Sequence, residues 1–182
     1  MKIGLVGVAE GADDLLHEAI EFLMGDVGVD LLVYMGLDED AFLSKVARSA
    51  PTGSVAELDA LFEHDASLSQ VAQIRRLPEP PARAIEMIGD KILTLVWDKA
   101  VLEEEDIANS FFTVYGKSKK MLFKKFGPRY FFTPGPLGEK HVAVLEEDDE
   151  DGFILNIFSP DGVPISREAL QVRLSSKMTV SA

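Results

Sequence analysis

A chain of 182 residues with 47% hydrophobic and 27% charged side chains has enough apolar material for one sizeable core and lacks the composition of a disordered protein. Its 18 basic residues face 31 acidic ones, a formal charge of −13, which repels phosphate backbones and anionic bilayers and argues against general nucleic-acid binding. Cysteine is absent, which excludes disulfides and thiolate metal sites.

The apolar start of the chain is too short for the core of a signal peptide and leads directly into a charged amphipathic segment. No later run reaches the roughly 18 apolar residues of a membrane span. The expectation is a cytoplasmic, bacterial protein with one domain over residues 1–174 and a frayed tail over 175–182.

Residues 2–6 form an apolar run bounded by Gly7, the pattern of a buried strand. Ala12, Leu15, Leu16, Ala19, Ile20 and Leu23 then recur at helical spacing, with Asp13 and Asp14 in the first turn and Gly25 at the end. A second apolar run over 30–35 completes a parallel strand, helix, strand unit. Residues 38 to about 76 read as helical, broken at Pro51-Thr52-Gly53 and ended by the prolines of 77–81. Beyond them the pattern changes. Residues 84–88 and 91–97 around Gly89-Asp90 read as a hairpin, 103–109 as a short helix opened by acids, and 111–115, 120–126, 129–133, 141–145 and 153–158 as strands. The stretch 163–174 fits neither class cleanly.

Several local motifs fail on spacing. Gly116-Lys117-Ser118 copies the end of a phosphate-binding loop, but Phe111 occupies the position of the first glycine and a strand follows instead of a helix. Gly4, Gly7 and Gly11 do not have the dinucleotide-binding spacing. The acidic run 146–151 lacks the alternating ligands of a calcium loop and reads as a solvated turn. Asp38 and Asp40 after a strand are ordinary helix-opening acids, and Trp97, the single tryptophan, is a packing residue or a filler of a larger pocket.

Four glycine-containing loops remain: Val8-Ala9-Glu10-Gly11 after the first strand, Gly36-Leu37 after the second, Gly116-Lys117-Ser118-Lys119 after the strand 111–115, and Thr133-Pro134-Gly135-Pro136 two strands later. In their order the chain resembles the small calcineurin-like metallophosphoesterases of bacteria and archaea over about residues 1–160. Those proteins carry Asp-x-His-Gly, Gly-Asp, a hairpin histidine, Gly-His-x-His and Asn-Pro-Gly-Ser in that sequence. The resemblance implies an α/β (mixed α+β) fold, a four-layer α-β-β-α sandwich of two packed mixed sheets. It also implies that the ligand positions have changed: Val8 stands for the aspartate, Glu10 for the first histidine, Leu37 for the bridging aspartate, Val96 for the hairpin histidine, and Lys117 and Lys119 for the last two histidines.

Two metals about 3.5 to 4 Å apart need anionic or imidazole donors. Valine and leucine offer no lone pair, and an ammonium group repels a divalent cation. The expectation is therefore a protein without catalytic residues or cofactor that binds another protein, one with a basic surface, as the retromer subunit with this fold binds its partners. Two alternatives share the same fold. One is a divergent phosphoesterase holding a divalent metal through Glu10, Asp38, His64 and Asp65. The other is an anion or nucleotide sensor using Lys117 and Lys119, near Lys120, although loop lysines are ordinarily solvated charges. For a protein interface, a late strand or the segment 134–137 is the place expected to expose apolar side chains.

Overall fold

The computed structural model describes residues 1–37, 42, 73–148 and 152–171. Strand β1 (Lys2–Val6) is apolar throughout because both of its faces are covered: Ile3 and Leu5 point into one core, while Val6 points into another. Helix α1 (Asp13–Glu21) lays Leu16, Ala19 and Ile20 on that second core. It continues past the expected stop at Gly25 as a π-helical turn (Phe22–Val27), which Gly28 closes at φ 65°. Strand β2 (Leu31–Tyr34) then pairs parallel with β1, placing Ile3 beside Leu31.

Residues 73–76, expected to end a helix, instead form strand β3 (Gln73–Arg76), parallel to β2 from Leu31↔Gln73 to Tyr34↔Arg76. Ile74 is its one buried apolar side chain, so the strand carries almost no local signal, and the open edge of β2 imposes the conformation. The expected helices of 38–72 lie outside the described residues, except that Phe42 is buried and stacks on Tyr34 at 4.5 Å between ring centroids.

The hairpin follows as read, with β4 (Arg83–Ile88) and β5 (Lys91–Val96) joined at Gly89-Asp90. Helix α2 (Glu104–Asn109) begins with a capping box between Glu103 and Asp106. Then come β6 (Phe112–Tyr115), β7 (Leu122–Phe126), β8 (Arg129–Thr133), β9 (Val142–Glu147) and β10 (Phe153–Phe158). Strand β9 runs two residues past its expected end, and beyond it the Asp148 N–H donates to the carbonyl of Gly152, the residue before β10. The ambiguous stretch resolves into β11 (Pro164–Leu170), antiparallel to β10.

Among the described residues eleven strands build two mixed sheets, ordered β11-β10-β9-β1-β2-β3 and β4-β5-β6-β8-β7. Ile3, Leu5, Leu31 and Val33 of the first meet Leu93, Leu95, Phe112, Val114, Tyr130 and Phe132 of the second in an apolar layer. Helix α1 covers the far side of the six-stranded sheet. Helix α2 lies on the far side of the other, tied there by an Arg83–Asp106 ion pair of 2.6 Å and by Arg129 donating to the Ala108 carbonyl at 2.9 Å. Among the described residues no helix is long and apolar enough to cross a membrane.

Candidate functional site

The two sheets bring the carboxyl ends of their parallel strands to one place. Met35 follows β2 and Gly116 follows β6, and an alanine methyl at Gly116 would lie 2.3 Å from the Met35 carbonyl oxygen. Gly7 follows β1 and Gly135 follows β8, and a methyl at Gly7 would lie 1.8 Å from the Gly135 carbonyl oxygen. Such contacts need bare backbone, so glycines mark the seam where the sheets meet. The Val8 carbonyl accepts the Leu137 N–H at 2.8 Å and fastens one loop to the other.

All six positions singled out in the sequence sit on or beside the loops of this seam, in different surroundings. Val8 is half-buried, Leu37 is exposed, and Val96 is 1% exposed in β5. Glu10 is exposed, with its backbone in the left-handed region at φ 48°. It lines a shallow groove of about 350 Å³ with Ser118, Lys119, Pro136, Gly138 and Glu139. Lys117 is engaged elsewhere: its Nζ donates to Asp98 at 2.5 Å. Asp38, His64 and Asp65 lie outside the described residues. Among the described residues no three His, Asp or Glu side chains gather as a metal site would require.

Trp97 and Asp98 complete the site, and the spacing of motifs gave Asp98 no role. The Trp97 ring lies against Gly116, where an added methyl would be 2.6 Å from ring carbon Cε3, so the tryptophan fills space at the seam and also packs on the inter-sheet core. Asp98 accepts from Lys117 and, through its other oxygen, from the Ala100 N–H at 3.0 Å, which starts a short 3-10 turn (Lys99–Val101). These hydrogen bonds, Lys117 first, hold its carboxyl below the usual carboxylate range. Above that range the carboxylate stabilises the fold, and this contribution is lost as pH falls through the lowered value. With side-chain exposures of 62% for Lys117 and 24% for Asp98, Lys117→Ala should cost less than about 1 kcal/mol at neutral pH and still less in high salt. Urea unfolding of both proteins across the acid range checks this: their midpoints should converge as pH falls.

The segment 134–137 is not the exposed surface expected. Pro134 and Gly135 are buried, and Leu137 is fully buried in the core beneath α1. The loop must cross the seam to reach β9, so its apolar residues go inside.

No family model matches this sequence, and no curated protein matches it. The architecture does have solved counterparts. A Vps29 mutant from Entamoeba histolytica superposes with a TM-score of 0.57 at 13% identity, covering 94% of this chain and 100% of that one, and the wild-type Vps29 has been solved in complex with zinc. An archaeal phosphodiesterase superposes with a TM-score of 0.59 at 13% identity, over 87% of this chain and 100% of that one. A predicted phosphoesterase from Streptococcus pneumoniae gives 0.56 at 14% identity, over 92% and 97%. The chain has the calcineurin-like metallophosphoesterase fold.

Proposed function

We propose that this chain is a phosphoesterase-fold protein that works without metal or catalytic residues, by binding another protein. The observation carrying this reading is the chemistry of the seam: Val8, Leu37 and Val96 present alkyl groups, Trp97 occupies space against Gly116, and of the two ammonium groups at the ligand positions Lys117 is paired with Asp98 and Lys119 offers no lone pair. Those side chains do not fit a pair of divalent cations. Vps29, named for vacuolar protein sorting and not for ester hydrolysis, has the same fold.

The partner's charge follows from α1. Asp13, Asp14, Glu18 and Glu21 are exposed on or beside its outer face, with Asp26 on the turn after it, a surface that attracts a basic protein and speeds its encounter. An anion sensor at the lysine loop fits less well, because Lys117 is engaged and Lys119 shares its groove with Glu10 and Glu139.

Purified protein incubated with manganese or zinc, then desalted, should retain far less than one metal per chain by elemental analysis and should not turn over bis(p-nitrophenyl) phosphate. Stoichiometric metal with chelator-sensitive turnover would restore the enzyme reading with the Glu10, Asp38, His64 and Asp65 ligand set. For the partner, any protein retained from host extract should be lost when Asp13, Asp14 and Glu18 are changed to lysine; retention by that variant would remove α1 from the interface.

A further inference from the structure

The acidic chain has one region of opposite sign. Between Ile107 and Gly138 there is no Asp or Glu, while Lys117, Lys119, Lys120, Lys124, Lys125 and Arg129 supply six of the 18 basic residues. Two of these lysines lie on β7, the last strand of the five-stranded sheet, which among the described residues pairs only with β8. Lys124 is exposed, and Lys125 sits 5.1 Å over the Tyr130 ring. Among the described residues neither is paired with a carboxylate. At the end of the strand Phe126 is 60% exposed, edge-on to Phe131 at 5.6 Å.

Lysines also guard a bare sheet edge against indiscriminate pairing. A guarded edge has no use for a phenylalanine left open beside them. The combination is instead that of a strand-addition site, in which main-chain hydrogen bonds supply affinity and alternate side chains supply choice.

We infer that β7 is a docking edge for an extended acidic segment of another protein, which adds to the sheet as a further strand, sets carboxylates against Lys124 and Lys125, and covers Phe126 with an apolar side chain. Charge complementarity selects this occupant. A nucleic acid or an anionic bilayer would bring long-range repulsion from the rest of a chain at −13, whereas a short peptide meets only the local basic field within a screening length of about 8 Å. A bilayer would also have, among the described residues, a single exposed aromatic to hold, Phe126. This edge belongs to the sheet opposite α1, so it stands independently of the acidic face proposed above.

The test is fluorescence anisotropy with a short labelled peptide built on Val-Glu-Glu-Val, which puts one carboxylate on each face of the added strand, alongside amide hydrogen exchange. Saturable binding that weakens with salt is expected, together with slowed exchange at amides within Leu122–Phe126. The Lys124→Glu/Lys125→Glu variant should bind about tenfold or more weakly, and Phe126→Ser should also lose affinity, with both variants retaining the wild-type unfolding midpoint to within a surface change of about 0.5 kcal/mol. A peptide with lysine in place of glutamate should not bind. The proposal is overturned if the acidic peptide fails to saturate, if the charge reversal leaves its affinity unchanged, or if oligothymidylate or phosphatidylserine vesicles bind as tightly through the same lysines.

Discussion

Gly7→Ala is expected to cost this protein more than about 4 kcal/mol, a large part of the stability of an ordinary domain. The added methyl would stand 1.8 Å from the Gly135 carbonyl oxygen, and that oxygen has nowhere to go. Gly135 is itself held at φ 72°, with space for a methyl closed by the Lys120 carbonyl carbon and the Met121 nitrogen, each at 2.6 Å. Three stretches of backbone are thus stacked in contact, and the Val8–Leu137 hydrogen bond ties the Gly7 stretch to the Gly135 stretch. Relief would require β1 to leave its register with β2 and β9, which would disturb both cores. Gly25→Ala is the control: it meets nothing within 4 Å and should change stability by no more than about 1 kcal/mol, in the stabilising direction that alanine has in helices. Urea unfolding of the two variants separates them. A Gly7→Ala protein with the wild-type midpoint would mean that the loops after β1 and β8 do not touch.

Gly116→Ala should be the next most damaging change, on the order of 3 kcal/mol, because its methyl meets both the Met35 carbonyl at 2.3 Å and the Trp97 ring. The two obstacles differ in kind. The ring can turn aside; the carbonyl cannot, since the Met35 N–H is bonded to Val6 and the Gly116 N–H to Val96, locking both strand ends. Removing the ring with Trp97→Ala in the same chain should therefore fail to recover the loss. A double variant as stable as Trp97→Ala alone would assign the whole clash to the ring, and the sheets would then have slack between them at the seam.

How far each element was legible depends on where its information sits. Strands β1 and β2 announce themselves as continuous apolar runs because both faces are buried, and the β4–β5 hairpin does so through Gly89-Asp90. Helix α1 shows its buried stripe but not its length, since the π-helical turn past Gly25 depends on packing such as Phe22 against Phe158. The sequence of β3 fits a helix as well as a strand, because a strand with one buried side chain is specified by its neighbour and not by itself. Loop 134–137 was read as surface because proline and glycine ordinarily sit there, whereas here they cross beneath a tight seam.

The candidate site divides in the same way. From the ordered glycines and strands alone came the fold and the alkyl and ammonium groups on its loops, because backbone approach and side-chain chemistry are properties of residue type. Only the tertiary structure revealed that Lys117 is bonded to Asp98 and not free beside Lys119, that Trp97 lies on Gly116, and that Lys124 and Lys125 lie on a strand which, among the described residues, pairs on one side only. Asp98 and Lys117 are 19 residues apart and meet because β5 and β6 end side by side. A charge can be read from a sequence, but what neutralises it depends on distance, and distance is decided by how the sheets close.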